Sequence, residues 1–229
     1  MKALAIGIKA TPLTPFCYHS LMVQSGTATL PELISDRAVA FGLAATLGWM
    51  AARVALPSKD YPRDWSAMPY RSSVFMTDQP RLLPPLVRRL NLDAEAGLKE
   101  KIQNVAKKGN LKDFFHTQEV PPGQIFRGAL FGFDPFAATR QKELVIRIGL
   151  HRNGMVHLER DDTVKRVRLN AATAALFGRE LKVERYCLHT LQLTGWLDLP
   201  DAARETRDWL VEANPPRQVT QMDLFSIQS

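Results

Sequence analysis

Five histidines, His19, His116, His151, His157 and His189, are the residues of this chain best suited to moving protons near neutral pH. His19 stands between Tyr18 and Ser20, a grouping that suits RNA cleavage without metal: a base takes the 2′-hydroxyl proton and a Tyr or Lys assists. No spacing singles out one of the five, and histidines that merely sit in a core or on a surface are common. Metal chemistry has less to stand on. HExxH, paired acidic motifs and Cys/His clusters are missing from the sequence, and Cys17 and Cys187 lie far apart with no partner spacing, as expected for a reducing compartment. GxGxxG, GxxxxGK[ST] and GxSxG are missing as well. The expectation is a chain with no metal and no cofactor, and more a binder than an enzyme.

Positive charge is the stronger signal. Thirty Lys and Arg against 23 Asp and Glu leave +7 on 229 residues, with a pI of about 9.6. This balance suits nucleic acid, although a solvated basic face produces it too. The charge gathers in two places. Lys99, Lys101, Lys107, Lys108 and Lys112 crowd one polar stretch and run into Phe114, Phe115 and His116, a pairing of cations and aromatics that neutralises phosphates and stacks unpaired bases. A solvated helix with a core Phe pair is the plainer reading of the same residues. Arg140, Lys142, Arg147, His151, Arg152, Arg160, Lys165, Arg166 and Arg168 follow along a hairpin and the next strand, with Glu159, Asp161 and Asp162 offsetting part of them. Alternation puts Arg166 and Arg168 on one face, where guanidinium groups can track a sugar-phosphate backbone. The candidate RNA-contacting set is therefore Arg140, Lys142, Arg147, Arg152, Arg166 and Arg168, joined by Lys107, Lys108, Lys112, Phe115 and His116.

The elements that must carry these residues are mixed α and β. Hydrophobic residues at 45% and charged residues at 23% are ordinary for a globular protein of one large or two small domains. Ala3 to Ala10 alternates as a first strand, stopped by Pro12 and Pro15. Ser35 or Asp36 caps a helix running to about Ala52, thin along Gly42, Ala44, Ala45 and Gly48 and so suited to close packing on a sheet. Residues 57–90, dense in proline, read as a long connection. Asp93 to Lys108 is a polar surface helix, and QIFRGALFGF a strand with aromatics on both sides. KELVIRIGLHRNGMVHLER folds back at Asn153-Gly154, the pair favoured in a two-residue turn. Val164 to Leu169 is a further strand, Asn170 to Phe177 a short helix closed by Gly178, Leu181 to Leu193 a strand and Asp201 to Glu212 a last helix. The tail from about 214 is polar and loosely held. MKALAIGIKATPL lacks a signal-peptide core and no apolar run spans a membrane, so the chain is expected in the cytoplasm.

The order of these features resembles the Cas five-type RAMP subunits of multisubunit CRISPR effectors. The likeness runs over residues 1–170, through ALAIGIKATPL, QSGTATLPELI, SDRAVAFGLAATLG, VPPGQIFRGALFGF and IRIGLHRNG, and is nearest to type I-D or type IV members. It implies an α+β fold: an RRM-like (ferredoxin-like) amino-terminal part with additional β-hairpin elements and a carboxy-terminal helix. All of 1–229 would form a single RAMP-like domain, with residues 57–90 as an insertion. It implies a non-catalytic subunit holding the 5′ handle of the guide RNA (crRNA) in a Cascade-like ribonucleoprotein of antiviral defence. Its partners would be that RNA, a repeated backbone subunit and other effector subunits, with target DNA as a further partner and no membrane. The expected contact surfaces are the aromatic 125–136 stretch and the small-residue helix. Two alternatives stand beside it: a metal-independent repeat endoribonuclease using His19, Tyr18 or His116, and a basic protein-interaction module that never meets RNA.

Overall fold

The computed structural model describes residues 5–18, 21–23, 26–48, 61–89, 114–149 and 153–213. In chain order the first half contributes β1 (Ala5–Pro12), β2 (Leu21–Val23), β3 (Gly26–Ala28), β4 (Leu33–Ile34), α1 (Asp36–Thr46), α2 (Tyr61–Ala67), β5 (Arg71–Ser72), β6 (Phe75–Met76) and β7 (Leu86–Arg89). The second half contributes β8 (Phe114–Gln118), β9 (Phe126–Phe131), α3 (Pro135–Thr139), β10 (Glu143–Ile148), β11 (Gly154–Arg160), β12 (Arg166–Val167) and α4 (Ala171–Ala174). It ends with β13 (Val183–Leu188), β14 (Leu191–Thr194), β15 (Leu197–Asp198) and α5 (Leu199–Ala213).

A seven-stranded antiparallel sheet in the order β10-β11-β1-β9-β6-β4, with β5 also on β9, organises the molecule. β1 lies at its middle because its alternation gives it two useful faces. Ile6, Ile8 and Ala10 turn to one side and meet Val39, Ala40 and Leu43 of α1, Phe126 and Leu130 of β9, Leu144 and Ile146 of β10, and Val156 and Leu158 of β11. Each Ile, Leu, Val or Phe among them, fully buried, contributes roughly 1.5–3 kcal/mol. Without the added edge strand β10, the path reads β11-β1-β9-β5/β6, with α1 between β1 and β5 and α3 between β9 and β11. That is the 4-1-3-2 order of the ferredoxin-like α+β class.

α1 starts where Ser35 accepts a hydrogen bond from the Ala38 amide and stops at Leu47, followed by Gly48 at φ +75°. Its expected reach to Ala52 is cut short because Gly48 enters the left-handed region that ends helices. The small residues act as the sequence suggests: a Cβ on Gly42 would lie 3.1 Å from the Arg147 carbonyl oxygen and 3.3 Å from Ile146, so a larger residue would press β10 outward by a few tenths of an ångström.

The opposite face of β9 supports a second core. Ala129 and Phe131 pack with Val164, Val167, Leu169, Ala174, Phe177, Ala202, Ala203 and Trp209, and the Phe177 and Trp209 rings stack 6.0 Å apart. Arg71 is buried at the seam between the cores. Its guanidinium lies 4.3 Å from the Phe177 ring centroid and donates to the carbonyls of Met68 (2.8 Å), Tyr70 (2.7 Å) and Trp209 (3.5 Å). A second polar tie links Asp36 at the start of α1 to Asn170 (3.0 Å) and Thr173 (2.5 Å) around α4.

Several expectations are corrected. Residues 57–90 are no bare connection: Tyr70 donates to the Ala40 carbonyl at 2.7 Å, and Arg71–Ser72 and Phe75–Met76 complete the central sheet. The Asn153-Gly154 pair is not a two-residue turn, since Gly154 already pairs with Ile148. Leu181 to Leu193 is a two-stranded hairpin, β13 with β14, because the chain reverses between Leu188 and Leu191. The aromatics Phe126, Phe131 and Phe136 are core and present no contact surface. The helix expected over 93–108 and the tail from 214 lie outside the described residues. Among the described residues no helix is long and apolar enough to cross a membrane, and no His, Cys, Asp and Glu cluster suits a metal ion.

Candidate nucleic-acid interface

The predicted basic strip divides in two when folded. Its first half follows β10, the outermost strand of the central sheet on that side. Arg140 closes α3 at φ 56°, its amide donating to the Ala137 carbonyl, a backbone state that costs a non-glycine residue roughly 1–2 kcal/mol. Arg140 and Lys142 are exposed and make no ion pair with a described residue. Arg147 is exposed near the other end of the strand. Strand geometry puts the Cα atoms of Lys142 and Arg147 about 17 Å apart, so the margin presents cations at fixed, separated positions. α1 secures this margin, with the Thr46 hydroxyl donating to the Val145 carbonyl at 3.0 Å.

Beside that strand end lies a cleft of about 430 Å³ lined by Tyr18, Ser35, Arg37, Phe41, Arg147 and Gly149 among others. A smaller one of about 120 Å³ shares Tyr18, Ser35 and Arg37 and continues to Leu188 and Thr190. Together they form a groove from the end of β10, over the start of α1, to the β13–β14 hairpin. The Arg37 guanidinium sits 4.9 Å from the Trp65 ring centroid, held by cation–π contact. Burial pushes the Tyr18 phenol well above its ordinary value, and the Gly149 amide offsets this only in part. Tyr18 thus stays protonated and is a poor base for RNA cleavage.

The second half of the strip is engaged within the protein. Arg168, with a side chain only 13% exposed, donates to Glu184 at 2.6 Å and lies 5.2 Å from the Trp196 ring centroid. Arg166 faces Asp198 at 3.8 Å, Arg160 binds Asp134 and lies over Phe136, and Lys165 donates to the Asp162 carbonyl at 2.8 Å. Buried Val167 separates Arg166 from Arg168, as the alternation implies. Phe115 and His116 are on β8 in a separate four-stranded sheet, with His116 partly buried. Lys107, Lys108, Lys112, Arg152, His19 and His151 lie outside the described residues. The sequence reading did not single out Arg37, and it read Ser35 only as a helix cap. Their position beside a cleft depends on α1 crossing the end of β10, and helix periodicity carries no trace of that.

No family model and no curated protein matches the sequence. Among solved structures, one similar chain belongs to the cryo-EM structure of the type III-B Cmr-beta bound to cognate target RNA and AMPPnP, state 1. The alignment covers 88% of each chain at 13% identity and a TM-score of 0.40.

Proposed function

We propose that this chain is an RNA-binding subunit of a multisubunit CRISPR effector complex, a RAMP-like protein of type I-D or type IV kind that holds the guide RNA by its 5′ handle without cutting it. The β10 margin carries this reading. In a chain of net charge +7, Arg140, Lys142 and Arg147 stand exposed on an ordered strand and its entry. The 4-1-3-2 sheet supports the family reading, being the organisation that the order of sequence features implies. In this role the 229 residues act as one RAMP-like unit in the cytoplasm. Phosphates lie along the margin, and the adjoining groove receives the nucleotide that turns off it. A repeated backbone subunit, further effector subunits and target DNA are the remaining partners.

The test is RNA binding by the purified chain across a salt series, using single-stranded repeat RNA. Each phosphate contact adds roughly −0.7 to the slope of log affinity against log salt. Arg140→Ala, Lys142→Ala and Arg147→Ala combined should flatten the slope by about 2. A wild-type chain whose RNA binding is undetectable at low salt would end the proposal.

A further inference from the structure

The two clefts at the start of α1 meet at Tyr18, Ser35 and Arg37, which line both. Donors gather at this waist. Trp65 holds the Arg37 guanidinium without taking its hydrogen bonds: the buried Nε has no partner, and Arg37 makes no ion pair with a described residue. The Tyr18 hydroxyl is likewise buried without a partner among the described residues, the nearby Gly149 amide falling short of a hydrogen bond. Tyr18 is fixed in place, because its backbone exchanges two bonds with the Thr29 hydroxyl (2.7 and 3.1 Å) and its ring meets Phe16 edge-on at 5.6 Å. A buried polar group without a partner is costly, so two at one waist mark a place built to receive hydrogen-bond acceptors. The amino terminus of α1 adds the positive end of its dipole at the same point. No Asp or Glu among the described residues lines either cleft, and the neighbouring Asp36 carboxyl is buried against Asn170 and Thr173. Donors and a cation with no carboxylate beside them select an anion.

The lobes on either side of the waist differ. The larger, about 430 Å³, is walled by Ala38, Phe41, Gly42 and Ala45. Helical spacing sets these four on one face of α1, where small side chains and a ring make an apolar wall suited to a planar group. The smaller, about 120 Å³, is walled by Leu30, Leu33, Leu188 and Leu191. Its polar groups are engaged, the Thr29 hydroxyl with Tyr18 and the Thr190 carbonyl with Asn170. A second phosphate there would lose its hydration against leucines, with no further cation to replace it. The anion at the waist is therefore the end of what binds. We infer that this cleft is a site for a nucleoside monophosphate, its terminal phosphate at Arg37 and Tyr18 and its base along the α1 wall, presented either by the end of an RNA strand or by a free mononucleotide. The inference deepens the proposed RNA role and rests on it only for the strand-end source.

The experiment is calorimetric titration of the purified full-length chain with the four common nucleoside 5′-monophosphates, the matching nucleosides and inorganic phosphate. At least one monophosphate should bind, with its nucleoside and inorganic phosphate each at least tenfold weaker. Arg37→Gln and Tyr18→Phe should each weaken that binding at least fivefold with circular dichroism unchanged. Tyr18→Phe should also leave Tm unchanged or raise it, because it deletes a buried hydroxyl that has no partner in the free chain. A merely structural Tyr18 would instead lose stability along with binding. Arg204→Ala, remote on α5, should keep the affinity within twofold. Repeat RNA ending in a phosphate, compared with the same RNA ending in hydroxyls, separates the two sources. Tighter binding of the phosphorylated strand in competition with the mononucleotide assigns the site to a strand end, and absence of competition assigns it to a free nucleotide. The inference is overturned if no monophosphate binds at millimolar concentration, if nucleosides bind as tightly, or if either variant retains full affinity. Mononucleotide binding by a chain that ignores RNA would sink the proposed function and leave this site standing, and RNA binding without mononucleotide binding would do the reverse.

Discussion

The β10 margin, with two arginines and a lysine, and the carboxy-terminal lobe, with six arginines from Arg166 to Arg207, use their cations in opposite ways. On the margin, Arg140 and Lys142 project from the entry to an edge strand and meet no carboxylate among the described residues. In the lobe, Arg168 holds Glu184, Arg179 holds Glu205 at 3.0 Å and Arg185 holds Glu32. A cation already bound to a carboxylate must break that contact before it can neutralise a phosphate, so net charge overstates what an RNA can reach.

The largest effect that would break this contrast is on RNA affinity. Between 50 and 200 mM salt, the margin triple variant should lose much less affinity than wild type, following the slope change of about 2. Arg168→Ala should leave that slope unchanged, and a slope lost equally in both would show a diffuse field. The next effect is on stability. Removing Arg168 deletes an ion pair shielded on the arginine side and a cation–π contact, and should cost about 1–2 kcal/mol, or roughly 2–8 °C in Tm for a domain of this size. Thermal unfolding checks it, with the margin variants expected within about 0.5 kcal/mol of wild type.

A pH effect sharpens the boundary between the lobe and the sheet. Burial raises the Asp36 carboxyl above its ordinary value, against the hydrogen bonds from Thr173 and Asn170. A raised native value means that protonated Asp36 stabilises the fold fully below the ordinary aspartate range, and that this contribution fades as pH climbs through the native value. Asp36→Asn should therefore gain on wild type as pH rises from 4 toward 8. A stability difference that stays flat over that range would contradict the assignment. The smallest effect belongs to Arg204, whose pair with Asp201 is exposed on α5. Arg204→Ala should move stability by less than about 0.5 kcal/mol, and unfolding in urea resolves whether it does.

The sequence announced elements whose signals are local. Ile6, Ile8 and Ala10 alternate, Ser35 and Asn170 accept the bonds expected of helix caps, and Gly178 closes its helix at φ 71°. It hid elements whose meaning is non-local. Arg71–Ser72 is two residues long and is strand only because β9 lies beside it. The Asn153-Gly154 pair misled because the register to Ile148 outranks local turn preference. For the same reason the candidate site was half legible. Alternation put Arg166 and Arg168 on one face, but it could not reveal that Glu184 and Trp196, from later in the chain, arrive to occupy Arg168.

Arg71 ties the timetable of synthesis to the architecture. Burial lowers its guanidinium to about 10, so it remains charged in the finished protein. Its surroundings come from two distant stretches of the chain: Met68 and Tyr70 next to it, the Phe177 ring and the Trp209 carbonyl far downstream. While the ribosome is still making residues 80 to 198, the nascent chain holds a cation at the future centre of the molecule with part of its cage unmade. The sheet can assemble early, but its sealing awaits the last helix. A chain released before residue 199 would keep that wound open, leaving a solvated charge where the two cores should meet and an apolar surface for quality-control proteases to grip.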